Sequence, residues 1–350
     1  MSDLPTRLRA QAEQCTHHGS PLTGVLLHGA AADYDRRGPT YDLMSPLADD
    51  PSGTVPSLRL AGALHRLVLQ RRAPELALYY PSVGGSGAAA EAWPVARRII
   101  AEHLEDLREA VRRPVQTNEV GRSAALYGGL LHLAASTGLP VRLLEIGASA
   151  GLNLLVDRFA YDVADGVVLG DPTSPVVLHR PWSGNFPPYD IAPHVVERAG
   201  CDPSPLDPGS DEDRLTLTSY VWADQLARFE RLRGALALAA EHGVAVERLP
   251  ASDFLARELR SARAGVVTVV WHSVVWQYLT KPERAAVDQL VAAAGAAATE
   301  RAPLAHLRLE PARVVGTGDF GFHVTLTSWP GGQVRLLAEA EGHGPPVLWQ

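Results

Sequence analysis

Val141-Arg142-Leu143-Leu144-Glu145-Ile146-Gly147-Ala148-Ser149-Ala150-Gly151 is the stretch on which the fold turns. It follows Gly138-Leu139-Pro140, where the texture of the chain changes. Val141 to Ile146 reads as a short apolar strand with Glu145 near its end. A loop of small residues follows, and then Leu152 to Phe159 has helical character. A strand, a glycine turn and a helix open an α/β unit.

The turn fits two chemistries. As Gly147-x-Ser149-x-Gly151 it has the spacing of a nucleophile elbow, in which glycines flank a strained serine between strand and helix. That reading needs an acid and a histidine downstream, and Asp253 with His272, His323 or His343 would serve. As Glu145-x-Gly147-x-Ser149-x-Gly151 it is a strand-ending acid followed by a loop that lets a ligand approach the backbone. A strict dinucleotide G-x-G-x-x-G is absent, because Ser149 stands where a glycine is expected.

Outward from this turn, the chain before it reads as helical. Leu58 to Gln70 and Val95 to Arg113 carry apolar residues at helical spacing, and a third helix begins after Thr117 or Asn118 and runs to about Ser136. After it, residues 172 to 208 hold nine of the 27 prolines, which forbids a long helix or a central strand there. Such a stretch is a functional lid or a surface loop. Strands are expected at 195–201, 244–249, 266–271, 304–309, 322–328 and 334–338, with helices at 211–242, 254–261 and from Pro282 to about Ala294. Strands alternating with helices imply a mostly parallel sheet. Trp329-Pro330-Gly331-Gly332-Gln333 is too short for anything but an antiparallel hairpin. The expected division is a helical part, 1–137, and an α/β part, 138–350, with a proline-rich insert at about 160–194. An α/β-hydrolase would continue with strand–helix units, so a terminal hairpin weighs toward the ligand-binding reading.

Composition narrows the function. The net charge is −7, from 39 acidic and 32 basic residues, which lacks the electrostatic footprint of nonspecific nucleic-acid binding. No apolar run approaches the ~18 residues of a membrane span. The first residues carry no apolar secretory segment, and two cysteines in 350 residues fit a reducing, cytoplasmic setting. His17-His18 has no third ligand at supporting spacing, so no metal is expected. The expected partner is a small molecule, with neither nucleic acid nor membrane; nothing in the sequence fixes the oligomeric state.

The stretch from residue 138 to about 340 resembles the class I S-adenosylmethionine-dependent methyltransferases. Leu143 to Gly151 looks like their first motif, and Gly200-Cys201-Asp202-Pro203 like the end of their second strand. Pro250-Ala251-Ser252-Asp253-Phe254 looks like the adenine loop, and Val266 to Leu279 like the fourth strand and its sequel. The whole chain is also similar to a bacterial domain family of unknown function. Gln116 to Arg122, Glu145 to Asn153, Gly170-Asp171-Pro172, Trp222-Ala223-Asp224-Gln225 and His343-Gly344 carry that likeness. The methyltransferase resemblance implies a Rossmann-like sheet, S-adenosyl-L-methionine as cofactor and transfer of its methyl group to a small molecule. The alternatives are a serine esterase using Ser149 and a non-catalytic protein that binds a nucleotide-like ligand.

The resemblance also supplies site residues. Glu145, Gly147, Ala148, Ser149, Gly151 and Asn153 form the cofactor loop. Asp202 accepts from the ribose hydroxyls, although it lies 55 residues after Gly147, against about 20 in a simple unit. Asp171, 24 residues after Gly147, is the rival, and Val167 to Leu178 is expected to form a hairpin over the site. Asp253 and Phe254 face the adenine, though Ser252-Asp253 is equally a helix cap. Glu119 and Arg122 either pair with each other at i, i+3 or reach the methionine end. His272, at the end of a buried strand, is either the candidate acid–base group or a hydrogen-bonded structural histidine. Trp222, Trp271 and Trp276 either stack on an acceptor or pack in the core. The Asn/Asp-Pro-Pro-Tyr segment of adenine-N6 methylating enzymes is missing, which argues against that chemistry.

Overall fold

The computed structural model describes residues 3–50, 54–164, 166–313 and 320–350. The chain forms two compact units: Met1–Thr117 with Asp211–Glu230, and Asn118–Ser210 with Arg231–Gln350.

The first unit is helical. It contains α1 (Leu4–His17), α2 (Pro21–Asp35), α3 (Pro39–Met44), α4 (Pro56–Leu69), α5 (Pro74–Ala77), α6 (Ala92–Glu102) and α7 (Leu104–Ala110). Prolines at the first turns of α1 to α5 cost no helical hydrogen bond and preset φ. Leu8, Leu27, Leu60, Leu64 and Ile100 meet in one core.

The second unit begins with α8 (Ser123–Thr137), which is buried on nearly every side and ends at Gly138 in the left-handed region. Next come β1 (Val141–Ile146), a 3-10 helix (Leu152–Arg158) and β2 to β5 (Ala160–Ala164, Val167–Gly170, Val177–His179, Trp182–Gly184). β6 (Val195–Asp202) precedes α9 (Asp211–Ser219) and α10 (Leu226–His242), which carry the chain through the helical unit and back. Then follow β7 (Val246–Arg248), α11 (Ala251–Glu258), β8 (Val267–Ser273), α12 (Lys281–Ala296), β9 (Leu304–Arg313), β10 (Phe320–Trp329), β11 (Gln333–Glu341) and β12 (Gly344–Trp349).

The large sheet has the order β5-β12-β11-β10-β9-β8-β1-β6-β7. Strands β7-β6-β1-β8-β9 are parallel, and β9 through β12 run antiparallel. The fold is therefore α/β with a large, mostly parallel sheet. From β1 the chain moves outward through β6 and β7, then returns to the other side of β1 as β8 and β9. That reversal makes the C-terminal ends of β1 and β8 the switch point, where such sheets leave a crevice.

Alternation sorts the two faces. Leu144, Ile146 and Val270 join Phe254, Leu255, Val287 and Val291 in a core with α11 and α12. The intervening Glu145, paired with Trp271 across the strands, points to the opposite face. Leu307, beside Trp271, is on that face and lies against Gly129 of α8.

Several elements differ from the sequence expectations. The helix expected over 211–242 is broken between Ser219 and Leu226, because Asp224 turns back to accept from Leu22 N at 3.0 Å and from the Ser20 hydroxyl, capping α2. Neither Thr117 nor Asn118 caps α8: Glu119 caps a short 3-10 turn (Val120–Arg122) ahead of it. Leu152 to Arg158 is 3-10 rather than α-helical. The inserted hairpin is β2–β3, starting earlier than Val167, and β4 joins β2 in parallel as a separate three-stranded sheet. Tyr161 of β2 stacks on Tyr127 of α8 at 4.1 Å, and Trp182 donates to Ala124 O at 3.0 Å, so this part of the insert is fastened rather than loose. The terminal hairpin is the middle of a longer meander that β12 and β5 extend.

Candidate functional site

At the switch point β1 ends in Glu145-Ile146 and the chain enters the glycine loop. Gly147, Ser149 and Gly151 all take left-handed φ, at +69°, +54° and +72°. Gly147 must be glycine for a second reason: an added Cβ would lie 2.1 Å from Val275 Cγ2. Ser149, a non-glycine residue at positive φ, is held there against its preference.

Asp202 does the holding. It ends β6 beside β1, is 8% exposed, and its Oδ2 accepts from Ser149 N at 3.0 Å. Its Oδ1 accepts from Ser204 N at 2.8 Å. Each carboxylate oxygen has a second lone pair, so both retain accepting capacity.

Three further amides of the loop are also spent. Ala148 N donates to Cys201 O, Gly151 N to Ala148 O, and Leu152 N to Asn118 Oδ1 at 2.9 Å. Four N–H groups thus serve the loop itself, and a 3-10 turn follows it. This is poor equipment for the phosphate of a dinucleotide, which needs free amides and a helix N-terminus.

Glu145 is 3% exposed, and its Oε2 has no hydrogen-bond partner. Burial pushes its carboxyl up to about 8, and the neighbouring Asp202 adds to the effect. The Trp271 indole and the Arg122 guanidinium pull the other way. Trp271 Nε1 is itself buried without a partner of hydrogen-bond geometry, as is Asn153 Oδ1. Asn153 Nδ2 donates to Glu119 O at 3.2 Å. Glu119 Oε1 accepts from Gly121 N, and Arg122 donates to Gly342 O and to Ser273 O at the end of β8. Gly121 packs directly on His343 O. Three of the segments singled out in the sequence, around 118–122, 145–153 and 343–344, therefore converge here.

His272 belongs to a different place. It follows Trp271 and so projects from the face opposite Glu145. Its Nδ1 lies 2.6 Å from Glu310 Oε1, its Nε2 lies 3.1 Å from His306 Nε2, and the ring has no exposed surface. In this arrangement neither ring nitrogen is open to an acceptor, which corrects its expected role as acid–base group. Burial holds His306 well below the ordinary histidine value, with His272 and Arg308 adding to it. Glu310 Oε1 also accepts from Val275 N at 3.0 Å and Trp276 N at 3.3 Å, and Trp276 stacks on His272 at 5.1 Å. Val274, between them, sits at φ +54°, an outlier for a β-branched residue. The Glu310–His272 pair thus fixes the segment whose Val275 covers Gly147. Glu310 and His306 were missed in the sequence; their only signal was alternation in a strand with three polar residues, His306, Arg308 and Glu310, on one face.

The remaining candidates divide. Phe254 is wholly buried in the α11–α12 core, so its side chain is not available to an adenine, a correction to that expectation. Asp253 is exposed. Neither it nor Ser252 caps α11: Glu283 Oε1 accepts from Ser252 N at 2.8 Å instead. Asp171 accepts from Thr173 N and its hydroxyl, and those bonds hold its carboxyl below the usual range. Trp271 packs in the interior, while Trp276 is half-buried. Trp222 is buried in the core of the helical unit.

A family model described as an uncharacterized protein conserved in bacteria (DUF2332) matches residues 6–349. The chain belongs to that family. No curated protein and no solved structure matches it. The DUF2332 match spans both compact units, so the helical unit and the sheet unit belong to one family architecture. Among the described residues no helix is long and apolar enough to cross a membrane, and no group of three or more acidic, histidine or cysteine side chains is placed to hold a metal ion.

Proposed function

We propose that the chain binds S-adenosylmethionine at the C-terminal ends of β1, β6 and β8 and transfers its methyl group to a small molecule, on a sheet of the Rossmann-like methyltransferase kind. The observation that carries this reading is the buried Glu145 carboxyl, with an unspent oxygen, beside Asp202 at the switch point.

The residues suit the cofactor's parts. Glu145 Oε2 and Asn153 Oδ1 are acceptors without partners, as an amino group requires. Asp202 keeps lone pairs for hydroxyls. Spent loop amides count against a phosphate-bearing ligand but not against this one, which has none. When bound, the cofactor supplies an activated methyl group. The chain's task is alignment and exclusion of water, not acid–base help. Val275, above Gly147, is the side chain that must yield to such a ligand.

A serine esterase built on Ser149 has less behind it. Ser149 is 3% exposed, and the nitrogens of His272 are committed elsewhere. The test compares three variants by calorimetric titration with S-adenosylmethionine. Asp202→Ala and Glu145→Gln should each weaken binding by tenfold or more, whereas Ser149→Ala should weaken it little. If Asp202→Ala binds as the parent does, the assignment of β6 as the ribose strand is wrong.

A further inference from the structure

The helical unit holds a second constellation that the methyl-transfer reading does not use. His65 of α4 is 2% exposed. Its Nδ1 lies 3.1 Å from Ser219 O, and its Nε2 lies 2.9 Å from Ser82 Oγ. A carbonyl oxygen only accepts, so Nδ1 carries the proton. Burial lowers the ring's pKa to about 4, and the neutral ring therefore presents the lone pair of Nε2 to the serine. Ser82 is left to donate its hydroxyl proton. The rings of Tyr80 and Phe229, at 5.4 and 5.6 Å, fix the imidazole.

The geometry is that of a nucleophile and its base, a hydroxyl on a neutral imidazole oriented by a third group, although burial makes this imidazole a weaker base than one near neutral pKa. Here the third group is a backbone carbonyl rather than an acid. Ser82 lies in a 3-10 turn (Pro81–Val83) and is only half-buried. Gly84 closes the turn at φ +87° with nothing within 4 Å of an added Cβ. Leu78 and Val83 beside it are 63% and 43% exposed and offer apolar surface to an acyl chain. The hydroxyl of Tyr80, next to His65, is buried with no hydrogen-bond partner.

We infer that Ser82 and His65 form a nucleophilic site that cleaves small apolar carboxylic esters, independent of the glycine loop. Ser82 Oγ adds to the ester carbonyl carbon while its proton passes to His65 Nε2. The bond to the alcohol oxygen then breaks, and the alcohol leaves with that proton. Water adds to the acyl-serine in turn, giving its proton to His65. The acid departs as Ser82 Oγ recovers the proton.

The experiment treats the full-length chain with a fluorophosphonate and locates the adduct by peptide mass spectrometry, alongside hydrolysis of p-nitrophenyl butyrate. The adduct is expected on Ser82. Ser82→Ala should abolish it and bring hydrolysis to background, and Ser149→Ala should change neither. His65→Gln should slow labelling by roughly 10²-fold or more. Because His65 is buried and its variant can unfold, the site of the adduct on the parent chain decides. No adduct, or one on Ser149 or another serine, overturns the inference and leaves the cofactor reading untouched.

Discussion

Glu145 ties the chemistry of the site to the stability of the fold. Its carboxyl is raised to about 8 in the folded chain and has its ordinary value when unfolded. Between about pH 4.5 and 8 the unfolded chain releases this proton and the folded chain keeps it. Stability from this group is therefore full below the lower value and is lost as pH rises to the upper one, at about 1.4 kcal/mol per pH unit at most. Glu145→Gln should flatten that slope, so the variant gains on the parent as pH rises from 5 to 8 in urea titrations. An unchanged slope would mean that Glu145 is ionised in the folded chain. Gly147→Ala meets both Val275 and a left-handed φ, and should cost about 1–3 kcal/mol in the same titrations. Arg142 shows what one residue hides. It went unremarked inside an apolar strand, yet it is 2% exposed, donates from Nε to Glu197 Oε1 at 2.8 Å, and pairs with Glu258. Arg142→Ala should cost about 1.5–3 kcal/mol in the same titrations, since its charged hydrogen bonds are lost while Glu197 keeps Arg263 and Glu258 keeps Arg257.

Elements were legible where periodicity decides and obscure where a distant residue does. β8 could be read from a run of β-branched residues, because burial on both faces leaves no polar alternation. α12 could be read from Pro282, which lies in its first turn; the Thr280 cap was not singled out. The break between α9 and α10 had no local signal: Asp224 leaves the helix for the N-terminus of α2, about two hundred residues earlier in sequence. The 3-10 turn after the glycine loop is similar, since Asn118 takes the amide of Leu152. His272 was placed on the correct strand but with the wrong companions, because residues adjacent in a strand face opposite ways and only the register supplies the partner Glu310. The segment after β8 yields a prediction at this scale. Glu310→Ala removes the acceptor of Val275 N and Trp276 N, a charged hydrogen bond worth about 1.5–3 kcal/mol. Those two amides should exchange about tenfold faster or more, whereas amides within β1 should not change. Equal exchange would mean that packing of Val275 and Trp276 holds the segment without Glu310.

At the scale of the molecule, the strand order β7-β6-β1-β8-β9 is what puts Glu145 and Asp202 side by side at the C-terminal ends of the strands, and Arg122 joins them through Ser273 O at the end of β8. The alternation of strands and helices implied parallel strands, and right-handed crossovers restrict how they connect, but the order itself had no signal in the sequence. The antiparallel extension to β12 and β5 was less visible, because β5 is three residues long and interrupts a proline-rich stretch. Residues 211–230 group with the N-terminal helices, although the sequence places them amid the strands. Direct titration calorimetry of the chain tests the switch point. Both S-adenosylmethionine and S-adenosylhomocysteine should bind with micromolar affinity at one site per chain, and ATP, which brings phosphates that the spent loop amides cannot serve, should not compete. No heat with either ligand at millimolar concentration, or displacement of both by ATP, would contradict the account.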